Sequence, residues 1–569
     1  MASLRGGSRA LSWAHQLISH QRPSWKCASH TVAPPATARS LRRYATAAKG
    51  ASKPYYITTP IFYVNAAPHV GHLYTMVLAD ILKRWRTLIG DNEAQLLTGT
   101  DEHGMKIQQA ANAAGIDTQA FCDRNCLTFK ALAEAANVDY NYFIRTTEPA
   151  HKEAVQYFWE MLQHRGYIYT SKHEGWYSVS DETFYPQSQV NLSLDPATGR
   201  KRMVSTETGK EVEWSSETNY HFRLSAFQDR LLELYKTDFI MPTHYNEQVV
   251  KSVSSGLSDL SISRPVERLT WGIPVPNDNT QTIYVWLDAL VNYLTKAGYP
   301  FPPGEGSRLG WPADVHVVGK DIVRFHCVYW PAFLMALDLP LPRNVLVHAH
   351  WTMNREKMSK STGNVVNPFF AIDRFGMDTM RFFLAHRGGL ASDSDYDNRY
   401  IIRDYKKYLQ QGLGNIAHRT IGCAKGKMRD YIVNATSGNS PATEDDQAYQ
   451  KTLEQLSGKV AKYMDALDPR AALDEIVEVI LLTNKYFHNS EPWQNPEGKQ
   501  RVIFNAAESM RIMGILLQPF MPNKAKKLLD VLKVDPSKRN LSDAGYGQDS
   551  TYGENIKKKI LFPPLALEN

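Results

Sequence analysis

Not one aspartate or glutamate precedes Asp80 in this chain of 569 residues, while Arg5, Arg9, Arg22, Lys26, Arg39, Arg42 and Arg43 are scattered among serines and alanines. A basic, acid-free, Ser/Ala-rich start is the composition of a mitochondrial transit peptide. In "RRYATAA" an arginine stands two residues before Tyr44, which is the spacing of matrix-protease cleavage. Residues 1–44 are therefore expected to be removed on entry to the mitochondrial matrix. A basic arm that binds RNA is the alternative reading of the same charges. Removing those seven cations from a formal net charge of +7 leaves the mature chain near neutrality, so global charge points to no partner.

Cysteine is scarce. Cys27, Cys122, Cys126, Cys327 and Cys423 form no Cys-x-x-Cys pair, which excludes a disulfide framework and a thiolate zinc site. No run of 18 apolar residues occurs, so no helical membrane span is expected. The length exceeds what one hydrophobic core supports and implies two to four domains.

Two polar stretches stand out from the apolar pattern. "YYITTPIFYVN", Tyr55 to Asn65, alternates like a strand and runs into "AAPHVGHLYTMVLADILKRWRTLIG". There Leu73, Val77 and Ile81, with Leu78, Leu82 and Trp85, mark an amphipathic helix ending at Gly90. His69 and His72 thus stand at a helix N-terminus, where backbone N–H groups and the dipole favour an anion. Gly71 between them lets a flat ligand approach the backbone. The second stretch is "EKMSKSTGN", Glu356 to Asn364. It lies between the buried-strand pattern "NVLVHAH" and "NPFFAIDRFGMDTMRFFLAH", a helix capped by Asn-Pro. H-x-x-H with no third ligand nearby does not read as a zinc motif.

"HVGH" followed some 290 residues later by "KMSKS" resembles the paired signatures of class I aminoacyl-tRNA synthetases. "TGTDEHG", "GLSDLSISR", "WGIPVP", "YVWLDALVNY" and "VGKDIVRFHCVYWPA" are similar to the methionyl branch. The resemblance implies an α/β fold: a Rossmann-type catalytic domain split into residues 45–166 and 265–342 by a connective insertion over 167–264. A stem-contact region (343–400) and an all-α anticodon-binding bundle (401–569) would follow. The implied reaction joins methionine to ATP with Mg²⁺, then charges tRNA(Met). Because the carboxylate itself attacks phosphorus, positioning and charge stabilisation must supply the rate. His69, His72, Lys357 and Lys360 take that role, with Asn65, Gly71, Met358, Ser359 and Ser361 against ATP.

The methionine site is implied at Ile61, Tyr63, Asp101, Trp286, Ala289, Leu290, Tyr293, Ile322, His326 and Trp330. Asp101 would meet the substrate ammonium, and the aromatics suit a thioether. Asn415 and Arg419, one helical turn apart, and Trp493 would read the anticodon. Where the family often carries a zinc knuckle, this sequence has Ser178 and Asp181 in "WYSVSDETFY", with His173 and Glu182 nearby; serine is a poor zinc ligand. The insertion is then expected to rest on a core of Trp176, Tyr177, Phe184, Tyr185, Val190 and Trp214. No appended tRNA-binding domain follows, which in this family implies a monomer. A cysteine-specific relative would need the missing thiolates. A catalytically inactive paralogue acting in RNA binding or splicing would not need the two histidines and two lysines.

Overall fold

Strands buried on both faces are what a parallel sheet between helices requires. The chain supplies seven: β1 (Tyr56–Thr58), β2 (Phe62–Tyr63), β3 (Gln95–Asp101), β4 (Tyr142–Arg145), β5 (Ile240–Met241), β6 (Val315–Gly319) and β7 (Asn344–His348). They belong to a computed structural model that describes residues 53–179, 183–195, 198–302, 310–358, 364–494 and 498–565. The transit-peptide reading of residues 1–44, and Ser359, Lys360, Ser361, Asp181 and Glu182, lie outside the described residues.

In β3, Leu97 pairs with Thr58 and Tyr142, and Thr100 pairs with Phe62 and Arg145. β1 and β2 therefore share one edge of β3, and β4 takes the other. The expected single strand over Tyr55–Asn65 is thus broken in two. Pro60 has no N–H for the ladder, and the last bond before it runs from Thr59 N–H to the Leu97 carbonyl at 2.9 Å. Across the sheet the order is β5, β7, β6, β1 with β2, β3, β4, with every pairing parallel. From β1 the chain builds outward to β3 and β4, then returns to build β6 and β7 on the other side. That reversal, between β1 and β6, is the switch point where open α/β sheets bind ligands.

The 167–264 stretch is mostly antiparallel. Ile168–Ser178 pairs with Glu213–Phe222 and Thr183–Tyr185, and Val190–Leu194 pairs with Lys201–Ser205. It also contains β5, an edge strand of the parallel sheet, so the stretch is not wholly separate from the Rossmann core. Tyr177 meets Phe184 edge-on at 4.9 Å, and Tyr185, Val190 and Val212 cluster with Trp176. Trp214 corrects the expected core: it is 58% exposed and touches only the rim, edge-on to Trp176 at 5.5 Å. Strand alternation puts it on the face of Ser216 and Thr218, which looks to solvent.

The helix expected from Asn367 onward is two helices, Pro368–Phe375 and Met377–Arg387, parted at Gly376 with φ of 82°. Helices then dominate: Asn415–Ala424, Met428–Thr436, Glu444–Asp465, Pro469–Asn489 and Lys499–Leu516. In the Ser/Asn/Thr-rich run over 434–446 only 437–443 is loop, because Thr443 and Asp446 form a capping box that starts the next helix. Among the described residues no helix is long and apolar enough to cross a membrane.

One buried cation ties the layers together. Arg381 bonds to Asp80 at 2.6 Å, and to the carbonyls of Pro519 (2.7 Å), Phe520 (3.1 Å) and Ala136 (3.3 Å). Asp80 lies on α1 (Val70–Leu88), the helix that begins at the His-Val-Gly-His motif. Pro519 and Phe520 belong to the helical region, so both regions share one desolvated guanidinium.

Candidate active site

His69 is the N-cap of α1, and its Nδ1 accepts the Gly71 N–H at 3.0 Å. The His72 Nδ1 accepts the His69 N–H, also at 3.0 Å, so each histidine satisfies an orphan donor of the helix start. An Nδ1 that accepts carries no proton. This assigns the proton of each ring to Nε2 and makes both Nε2–H groups donors. The rings stack at 3.9 Å, with His72 edge-on to Phe62 and Phe129 at 5.3 and 5.2 Å. Gly71 has a steric reason beyond the expected one: a Cβ there would lie 2.8 Å from Cε1 of His69.

The lysine motif arrives from the far side of the switch point. After β7, Trp351–Met353 and Glu356–Lys357 form a hairpin turned by Asn354 and Arg355 at φ of 56° and 64°, the two-residue left-handed turn that twisted hairpins favour. Lys357 is exposed and Met358 half-buried. The Asn364 amide donates to the Lys357 carbonyl at 3.2 Å. Two residues on, the Val366 carbonyl accepts the N–H of Val70, the first residue of α1, at 3.2 Å. The histidine motif and the segment leaving the lysine motif, remote in sequence, therefore meet through one main-chain bond. Asn65 lies in the turn after β2 and is exposed.

Beneath the histidines, His348 at the end of β7 holds α1 to the sheet. Its Nδ1–H donates to the Ala349 carbonyl at 2.9 Å and its Nε2 accepts the Thr75 hydroxyl at 2.8 Å. Burial pushes its pKa down to about 4.

The expected methionine residues gather at the carboxyl ends of β1, β3 and β6. Tyr63 is the register partner of Asp101, and Ile61 lies in the break between β1 and β2. Ala289, Leu290 and Tyr293 lie on α2 (Val285–Thr295), with Trp286 stacked on Phe325 at 3.6 Å. The Tyr293 hydroxyl donates to His326 Nε2 at 2.7 Å, while His326 Nδ1–H donates to the Ile322 carbonyl at 3.0 Å. Both side chains are neutral, because burial pushes His326 down to about 4 and raises Tyr293. His326 sits in a π-helical turn, Phe325–Tyr329, a distortion frequent at functional sites. Exposure divides the set: Ile61, Tyr63, Trp286 and Ile322 are half-buried, whereas Leu290, Tyr293 and Trp330 are sealed. Trp330 bonds through its indole N–H to His316 at 3.3 Å, so it stands as a wall behind the site.

Several polar residues escaped the sequence reading. His103 Nδ1–H and His151 Nε2–H both donate to buried Asp288, at 2.7 and 2.8 Å. Burial opposes the charge on Asp288, yet the two histidines hold it at about 2. Glu102 takes a bidentate pair from Arg145 at 2.8 and 2.9 Å. One signal existed: Asp288 is the only acid in the apolar run "VWLDALVNYL", and a buried carboxylate demands partners.

Two family profiles cover most of the chain. That of "tRNA synthetases class I (M)" matches residues 55–421, and "Anticodon binding domain of methionyl tRNA ligase" matches 436–555. The chain belongs to the methionyl class I tRNA synthetases. The synthetase is 50% identical to a probable mitochondrial methionine–tRNA ligase of Neurospora crassa, over 96% of this chain and 92% of that one. A mitochondrial methionine–tRNA ligase of Xenopus laevis is 41% identical, over 90% and 93%. The solved methionyl-tRNA synthetase of Mycobacterium tuberculosis in complex with methionyl-adenylate aligns with TM-score 0.82 at 39% identity, covering 90% of this chain and all of that one.

In the helical region of the synthetase, the Asn415 amide donates to Asn484 at 3.2 Å. The Arg419 guanidinium lies 4.9 Å from the Trp493 ring and 5.0 Å from Phe487. Trp493 is 44% exposed, which excludes a buried helix-stop tryptophan and leaves an aromatic face in solvent. In the insertion Ser178 is buried, and among the described residues no cluster of three or more metal-ligating side chains occurs.

Proposed function

We propose that this synthetase ligates L-methionine to tRNA(Met) in the mitochondrial matrix, as a monomer, through a methionyl-adenylate. The methionine carboxylate attacks the α-phosphorus of ATP, pyrophosphate leaves, and the acyl group then passes to the terminal adenosine of the tRNA with release of AMP. ATP enters as its Mg²⁺ complex. The Nε2–H groups of His69 and His72 donate to phosphate oxygens as charge builds there. Lys357 and Lys360 meet the departing pyrophosphate from the opposite side. Asp101 takes the substrate ammonium. Tyr293 and His326, each satisfied by the other, present no charge to a thioether, and Trp286 offers it an aromatic face. Asn415, Arg419 and Trp493 read the anticodon. The insertion needs no zinc.

The observation that carries this reading is the Val70–Val366 bond, which sets the exit of the lysine segment against the histidine helix. The mitochondrial address draws on the acid-free leader and the names of the relatives. Pyrophosphate exchange run with each of the twenty amino acids tests it: methionine alone should drive exchange. Exchange driven by cysteine, or by none, would overturn the assignment.

A further inference from the structure

The C-terminal strap and the helix carrying Asn415 enclose a cleft of about 640 Å³ that no step above uses. The strap is pinned from beneath. The Tyr405 hydroxyl donates to the Pro563 carbonyl at 2.6 Å, Lys524 to Leu561 at 2.6 Å, and Lys527 to Ile560 at 3.4 Å. Leu561 and Phe562 are buried, and the Phe562 ring packs beside Gly414, where an added Cβ would lie 3.5 Å from it. Anchored in this way, the strap turns Lys557, Lys558 and Lys559 outward, all exposed. Lys559 lines the cleft together with Lys406 and His418, and Gln410, Gln411 and Asn415 add amides to the same lining. The Lys558 ammonium lies against the same helix, 3.5 Å from where a Cβ on Gly422 would stand. The lining holds no carboxylate, and among the described residues neither Lys406 nor Lys559 is paired with one.

We propose that this cleft binds the sugar–phosphate backbone of the tRNA beside its anticodon loop. It rests on the anticodon reading, because Asn415 lines the cleft while Arg419, one turn further on, carries the Trp493 platform. Two ammonium groups flanked by amides that donate without charge suit a phosphate oxygen and its ribose. An apolar helix would leave the ammonium groups and amides unmatched, and the Trp493 platform one turn away suits an unpaired base rather than an acidic peptide. The strap's burial of Leu561 and Phe562 fixes the backbone that carries the lysine row, so RNA need not order the main chain there.

The test is tRNA affinity of the full chain as a function of salt, for Lys406→Ala/Lys559→Ala and for Arg419→Ala. The double lysine variant should lose about tenfold in affinity, lower the salt slope by about 1 to 2, and leave the order of preference among tRNAs unchanged. Methionine-dependent pyrophosphate exchange without tRNA should stay at the parental rate, which shows that the variant folds. Lys406→Arg/Lys559→Arg should restore both affinity and slope. Unchanged affinity and slope in the double alanine variant, alongside a loss in Arg419→Ala, would overturn the cleft and leave the anticodon reading standing. No loss in either variant would overturn both.

Discussion

The two walls of the proposed nucleotide site are built in opposite ways. The histidine wall is fixed before substrate arrives: each imidazole spends its Nδ1 on a backbone N–H of α1, and His348 fastens that helix to β7. The lysine wall begins on an exposed two-residue strand paired with Trp351–Met353, where Thr352 and the Arg355 N–H both bond to Asp395 at 2.8 Å and the Asn364 amide meets the Lys357 carbonyl. In the proposed reaction the histidine wall supplies donors that need no reorganisation in the transition state, whereas Lys357 offers an exposed ammonium on a long stem. The proposed phosphoryl chemistry draws on both.

The comparison breaks most readily at the chemical step. His72→Ala and Lys360→Ala should each slow single-turnover adenylate formation by about 10²–10³-fold, the loss of one transition-state donor. Methionine affinity should change less than about threefold, because both groups act on phosphate. Single-turnover rates within about threefold of the parent would show that one wall suffices.

Sequence reading captured what is local and missed what is assembled. The helix start at His69, the β7 strand and the helical second half were legible from periodicity and caps. β2 and β5, at two residues each, are too short to show a period, so the first was merged into one strand and the second into the insertion. Asp288 and His103 are 185 residues apart, and no spacing rule joins them. The Asp101–Tyr63 register likewise exists only once β2 docks on β3. Trp214 departs from the expected core because size alone does not bury an aromatic, and its strand position faces solvent.

Acid sharpens the claim that the histidine wall is preorganised. His348 and His326 hold pKa values near 4 through burial, below the 6.5 of an unperturbed histidine. Above that value both are neutral, folded or unfolded, and impose no cost. As pH falls from 6.5 toward 4, the unfolded chain takes up protons that the folded one refuses, so stability drops. Each site contributes about 3 kcal/mol over that window. Urea titrations at pH 7 and pH 4.5 should show the loss, and His326→Gln should flatten it. A midpoint that does not move with pH would mean that these rings charge in place.

At the far end of the molecule, Trp493→Ala should raise the KM for tRNA by the loss of one stacked base, about 1–3 kcal/mol, with adenylate formation unaffected. A matching loss in adenylate formation would show that the tryptophan supports the catalytic walls, through the layer that Arg381 ties to α1.

The smallest effect separates the two jobs of His69. Its ring caps α1 through Nδ1 and, in the proposed reaction, offers Nε2–H to the phosphates, and alanine would remove both functions. Asparagine is among the strongest N-caps and has no imidazole, so His69→Asn should keep the helix start while losing the donor. Both variants should be slow in adenylate formation, and both lose the stack on His72. Their stabilities should differ, with His69→Ala less stable than His69→Asn by about 1 kcal/mol, read as a shift in urea midpoint at constant slope. Equal midpoints would mean that the Gly71 N–H finds another acceptor at no cost, and that the histidine wall is held by its packing against Phe62 and Phe129 rather than by its caps.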